Sequence, residues 1–260
     1  DDAHLVALES ADLAGLSTAQ IRALTNADVT LLDSADIRAL TGEQIGALTT
    51  AQVRAIDAAD MAAISADGLG GLTSSQLAGL STEQLTALTT DQLQLLNGTQ
   101  LRGLSSVQIS ALDSADIGAL SGSQLGSLST VQLRGIDTAD IAAISLEGQS
   151  GLSASQMAGL SNGQLGAMST DQLQALTDVQ LRGLTTAQVA ALSTEDLNTL
   201  TDSQFRELST AQIAALTTEQ AANLQAADLS GLTTAQIRAF KTNQIAAFDS
   251  ADVAALTGEQ

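Results

Sequence analysis

From residue 5 to residue 260 the chain repeats every eight residues without an insertion or deletion. The phrase STAQIRAL at 17–24 returns as TTAQVRAI at 49–56, TTAQVAAL at 185–192 and TTAQIRAF at 233–240. Positions 5, 13, 21 and onward are Leu, Ile, Val, Met or Phe, except at Gln149 and Ala221. Three residues further on, every position is again Leu, Ile, Met or Phe. The next residue is Ser, Thr, Asp or Asn except at Glu9, Gln225 and Lys241. Three beyond that stands Gln or Asp, except at Gly68 and Gly148. The consensus is L-[ST]-x-x-Q-L-x-A, a spacing strict enough to mark a repeat architecture.

One long helix cannot carry this pattern. Apolar spacings of 3 and 5 average about 4.0 residues per turn against about 3.6 for an α-helix, so the stripe would drift by roughly 80° per repeat. A strand is no better, because the apolar offsets do not alternate. Local chemistry resolves the problem. Ser or Thr followed three residues later by Gln is a capping box, and an apolar residue on either side of it is a hydrophobic staple. In 16–21, Leu16 and Ile21 form the staple while Ser17 and Gln20 form the box. Thr49 with Gln52 and Thr185 with Gln188 repeat the arrangement. Each octad therefore starts a helix of about a turn and a half, too short to persist alone.

Stacked neighbours must hold such helices, which is the logic of a solenoid. The chain reads as an all-α solenoid of very short capped helices, one per octad, 32 in all, forming one continuous domain over 1–260. Arg22, Arg38 and Arg54 stand 16 residues apart, and Arg102, Arg134 and Arg182 keep that spacing modulo 16, which suggests two octads per coil. The alternative is a β-solenoid with 16-residue coils.

Hydrophobic residues make up 44% of the chain but aromatics only 1%, so the core must be built of Leu, Ile and Ala. The net charge of −20 argues against nucleic acid and anionic membrane surfaces as partners. No apolar run approaches the length of a membrane span. An acidic chain poor in aromatics is often disordered, but the regular Leu and Ile argue for order.

A second period of 80 residues overlies the first: 33–72 matches 113–152, and each block closes on an octad broken by Gly68 or Gly148. A duplicated ten-octad block accounts for it; a bend where glycine loosens the helix is the sharper reading. The final DSADVAALTGEQ echoes DSADIRALTGEQ at 33–44 and stops half-way through an octad. That ending suggests a segment of a longer protein, or ends covered by other copies.

Catalytic chemistry is hard to place. His4 is the sole histidine and reads as a solvated terminal residue; Cys and Tyr are absent, and Lys241 is the one lysine. The Ser and Thr residues sit at caps with no recurring base beside them. The glycines at 68–71 lack the Lys-Ser/Thr of a phosphate loop. The pairs Asp33/Asp36, Asp57/Asp60, Asp113/Asp116, Asp137/Asp140 and Asp249/Asp252 raise calcium as a cofactor. Two carboxylates fall short of the roughly six to eight oxygens calcium takes, so capping is the favoured role and no cofactor is expected. All eight arginines, the six above with Arg206 and Arg238, share one octad slot, outward-facing and suited to contacts between coils or with another copy.

TTAQVAAL at 185–192 resembles the helix start of transcription-activator-like effector repeats, but the base-reading loop and basic charge are missing. Nearly the whole chain resembles the Leu-Ser/Thr-x-x-Gln octapeptide tracts of very large, adhesin-like bacterial secreted or surface proteins. That resemblance implies export, a bacterial origin and a structural role. The expectation is an extracellular structural protein, a rigid stalk or a filament subunit that self-associates end to end or laterally. It would be no enzyme, with no small-molecule substrate, nucleic acid or membrane insertion. The alternative is an extended binding module for a peptide, a glycan or calcium.

Overall fold

The computed structural model describes residues 10–260, so His4 and the first five residues of the octad beginning at Leu5, Glu9 among them, lie outside the described residues. The chain divides into two compact units, one ending at Ile136 and the other spanning Asp137–Gln260. The eight-residue register runs through both in the sequence. Among the described residues there are 31 helical segments and no strand, and each helix is four to six residues long. The β-solenoid alternative is thereby overturned.

Each helix is set by its octad. At Thr18–Ala23 the N-cap Ser17 is extended, with φ −67° and ψ 156°, and its hydroxyl accepts the N–H of Gln20. Such a bond satisfies one of the N–H groups that have no partner inside the helix. The helix stops at Leu24, whose backbone is again extended while its N–H donates to the carbonyl of Ile21. Leu24 and Thr25 thus form a two-residue extended corner that turns the chain into Asn26–Val29. No positive φ or cis peptide is needed at any described corner. Ala58–Ala63, the octad capped by Asp57, tightens to a 3-10 helix.

The two apolar rows face inward. Ile21, Ile45, Val53, Leu77 and Leu85 in the first row are fully buried, and Leu48, Leu80 and Leu88 in the second are nearly so. Burial of each such side chain contributes about 1.5–3 kcal/mol, which offsets the marginal stability of an isolated six-residue helix.

The expectation of two octads per coil is corrected. Gly42–Ala47 packs against Ala66–Gly71, Ser34–Ala39 against Ala58–Ala63, and Ala154–Gly159 against Asp178–Gly183. Every substantially packed pair is three helices apart. Hydrogen bonds also join residues 28 and 31 apart, which span nearly four octads. A coil therefore closes between three and four octads. The 16-residue arginine spacing misled because exposed charges do not fix the path of the backbone; buried packing and hydrogen bonds do.

Candidate functional site

The glutamine in each octad does two jobs. At Gln76, Oε1 accepts the backbone N–H of Thr73 at 2.7 Å, closing the capping box. Its Nε2 donates to the carbonyls of Ile45 and Leu48, both at 2.8 Å. Those carbonyls end the helix four octads earlier; that of Ile45 already accepts the Leu48 N–H, and the buried Leu48 carbonyl would otherwise be without a partner. Gln100 bonds Leu69 and Leu72 in the same way, Gln108 bonds Leu77 and Leu80, and Gln212 bonds Leu181 and Leu184. One amide thus seals the start of its own helix and the end of a helix in the preceding coil. Within each unit these bonds form a ladder, interrupted where Asp or Gly replaces the glutamine.

Only an amide can do this. Its oxygen accepts and its nitrogen carries two donors, whereas a carboxylate only accepts. The capping box was legible in the sequence; the second job was not. A signal was available: Glu serves a capping box as well as Gln, yet in this acidic chain Glu never occupies that position.

Where Asp replaces Gln, the bonding changes. The Ser10 hydroxyl donates to Asp36 at 3.0 Å, the Thr90 hydroxyl to Asp116 at 2.8 Å, and the Ser34 hydroxyl to Asp60. In each case the donor lies 26 residues earlier, in the preceding coil. Burial pushes the Asp116 carboxyl above the usual carboxylate range, with the Thr90 hydroxyl opposing the shift.

The other residues singled out from the sequence fall as follows. Ser17 with Gln20, Thr49 with Gln52 and Thr185 with Gln188 all form capping boxes. Gln52 also reaches Leu24, and Gln188 reaches Met157 and Leu160. Gln20 is exposed and makes its capping contacts with Ser17. Three arginines bond to the residue 25 positions on: Arg22 to the Ala47 carbonyl at 3.2 Å, Arg206 to the Gly231 carbonyl at 2.7 Å, and Arg182 to Glu207 as an ion pair. Gln94 and Asn198 occupy the same slot and reach Ala119 and Asn223, so the slot forms an outer set of coil-to-coil bonds. Arg102 bonds Thr99 of its own helix, while Arg38, Arg54, Arg134 and Arg238 are exposed. The 16-residue spacing does not bring the arginines together.

Asp57 and Asp113 accept backbone N–H groups of their own helices, Asp137 makes no such side-chain cap, and two pairs close full capping boxes. Asp33 accepts the N–H groups of Ala35 and Asp36, and Asp36 accepts that of Asp33. Asp249 and Asp252 repeat the arrangement. Among the described residues no group of three His, Cys, Asp or Glu side chains is placed to hold a metal ion.

Gly68 and Gly148 do not loosen their helices. Ser65 and Ser145 cap them normally, and Ala66–Gly71 has the full six residues. The disturbance lies one residue further on. Gln149 stands in the inward apolar row with 2% of its surface exposed; its Nε2 donates to the Gln172 carbonyl at 2.7 Å, and its Oε1 has no partner. A buried acceptor left unpaired costs about 1–3 kcal/mol. Gln149→Leu, which restores the row, is expected to stabilise the second unit by about 1–2 kcal/mol in urea denaturation. A loss of stability would show that the bond to Gln172 outweighs the unpaired oxygen.

Comparison with known families returns the ALTTAQ repeat, matched at residues 5–41, 31–66, 53–90, 61–98, 157–194, 189–226 and 222–258. The chain belongs to the ALTTAQ repeat family. The ALTTAQ phrase itself stands at 47–52, where Leu48 is the staple residue, Thr49 the cap and Gln52 the ladder amide. The family's signature thus coincides with the groups that join one coil to another. Comparison with curated proteins gives no match.

Proposed function

We propose that this ALTTAQ repeat chain is a non-catalytic structural protein of a bacterial surface, a stalk or a filament subunit that associates with its own copies end to end or laterally. The observation that supports it most is the ladder. In most octads the capping hydroxyl is engaged at the start of its own helix and the glutamine amide joins one coil to another. Stability then accrues between neighbouring coils, and length can grow by whole octads without changing the interface. The acidic surface keeps such an array soluble. Among the described residues no helix is long and apolar enough to cross a membrane.

Negative-stain microscopy of the purified chain is expected to show elongated particles or strings of them; compact isolated globules would overturn the reading. Protease added to intact cells should cut the protein if it lies at the surface. Calorimetry with calcium is expected to give no binding heat, since the Asp33 and Asp249 carboxylates already accept N–H groups of their own turns. Saturable heat at micromolar calcium would instead favour an adhesin-type, metal-dependent module.

A further inference from the structure

At three positions where Asp replaces the ladder glutamine, the residue 26 places earlier supplies a hydroxyl: Ser10 for Asp36, Ser34 for Asp60 and Thr90 for Asp116. Asp252 has the apolar Ala226 at that offset, and Asp228 departs from both cases. The residue 26 places earlier is Asp202, the first residue of Asp202–Glu207, which packs against the helix Ala226–Gly231 that carries Asp228. A position built for a donor facing a carboxylate holds a second carboxylate. Asp228 is only 3% exposed and accepts the Gln225 N–H at 3.2 Å, so it cannot turn away into water without losing that cap. Two carboxyl groups in this arrangement are compatible when they share a proton.

We propose that Asp202 and Asp228 form a proton-sharing carboxyl pair that locks two successive coils of the second unit in mild acid and releases them at neutral pH. The charged neighbours leave the pair unneutralised. Arg206, on the Asp202 helix, directs its guanidinium to the Gly231 carbonyl, and Glu207 is paired with Arg182. On Ser250–Ala255, the helix of the next coil that packs against Ala226–Gly231, Asp252 accepts the N–H of Asp249, and Asp249 accepts those of Ala251 and Asp252. Asp196, one coil back on Thr194–Thr199, bonds Ser193, and Glu195 stands beside it on that helix. Of these groups Asp202 is the one whose charge and hydrogen bond act on Asp228.

Burial first, then the Asp202 charge and hydrogen bond, push the Asp228 carboxyl up to about 6, against the opposing bond from Gln225. A carboxyl raised in the folded state contributes stability that is complete below the ordinary value of 3.8 and is lost as pH rises through about 6. Between pH 5 and 7.5 the folded-to-unfolded ratio of the second unit should therefore fall about tenfold from this pair.

The test is urea denaturation of the full chain at pH 5 and 7.5, comparing wild type with Asp202→Ser, which restores the hydroxyl donor. Asp171→Ser, which removes an exposed charge from the same unit, serves as the control for general charge repulsion. The expected result is that Asp202→Ser stabilises the chain at pH 7.5 and removes the Asp202 share of the pH effect, leaving the share due to burial, while Asp171→Ser leaves the whole effect in place. Asp228→Gln, the ladder residue, should flatten the profile as well. An Asp202→Ser profile that parallels the control would overturn the proposal. So would a wild-type carbon-13 carboxyl titration of Asp228 in the ordinary carboxylate range.

Discussion

Gln108→Glu is expected to destabilise the first unit by about 3–5 kcal/mol at pH 7.5, and Gln108→Ala by about 2–3 kcal/mol. Glutamate matches glutamine in size, so its contrast with the wild type isolates the donors, whereas alanine removes the side chain beyond Cβ. Gln108 is buried, its Oε1 accepts the Ser105 N–H at 2.8 Å, and its Nε2 donates to Leu77 at 2.8 Å and Leu80 at 3.0 Å. Alanine removes three bonds and leaves the Leu80 carbonyl and the Ser105 N–H unpaired, while the Leu77 carbonyl keeps the Leu80 N–H. Glutamate keeps the acceptor for Ser105 but directs an unprotonated oxygen at two carbonyl oxygens inside the coil interface. The penalty is that of a buried charge without a partner, larger than that of a missing side chain.

The pH dependence follows from the same geometry. Burial and the facing carbonyls would raise the introduced carboxyl above its unfolded value, because only the protonated form can donate. Its folded state therefore gains stability as pH falls, and the deficit of Gln108→Glu should shrink between pH 7.5 and pH 4.5 while that of Gln108→Ala stays nearly constant. Urea midpoints of the three proteins at the two pH values check this. Equal midpoints for wild type and Gln108→Glu at pH 7.5 would remove the ladder as the tie between coils.

Much of this fold can be read locally. Ser17 and Gln20 announce a helix start, Leu16 and Ile21 bracket it, and the next apolar residue ends it; those contacts span no more than five residues. The helices, their caps and the inward rows follow from that stretch alone. The number of octads per coil does not, because it depends on bonds between residues 25 to 31 apart whose partners are backbone carbonyls, which have no sequence signature. The arginines gave a 16-residue rhythm that the packed helices do not keep, since exposed guanidinium groups such as Arg38 and Arg54 constrain little. The exclusion of Glu from the ladder position was the one compositional trace of the long-range bond. Asp202 opposite Asp228 became visible only once the offset of 26 was known from Asp36 and Asp116.

Adjacent glycines should respond with opposite sign. Gly71→Ala is expected to destabilise the first unit by about 3 kcal/mol, and Gly70→Ala to stabilise it by about 0.5–1 kcal/mol. Both residues lie in Ala66–Gly71, which packs against Gly42–Ala47. A Cβ on Gly71 would sit 1.9 Å from the Gly42 carbonyl oxygen and 2.6 Å from the Gly42 Cα; one on Gly70 would meet nothing within 4 Å. The approach is mutual, because a Cβ on Gly42 would come within 2.6 Å of the Asp67 carbonyl oxygen. Every colliding atom here is backbone, so no side chain can swing aside and the helices must separate. Separation would also stretch the bond from the Gly42 N–H to the Asp67 carboxylate, now 2.6 Å. Helix propensity favours alanine at both positions, which makes the pair a direct contest between local preference and coil packing. Urea denaturation followed by circular dichroism at 222 nm reads the outcome. If Gly71→Ala were as stabilising as Gly70→Ala, the small residue of the octad would be a matter of propensity, and the close approach of these two coils would not contribute to stability.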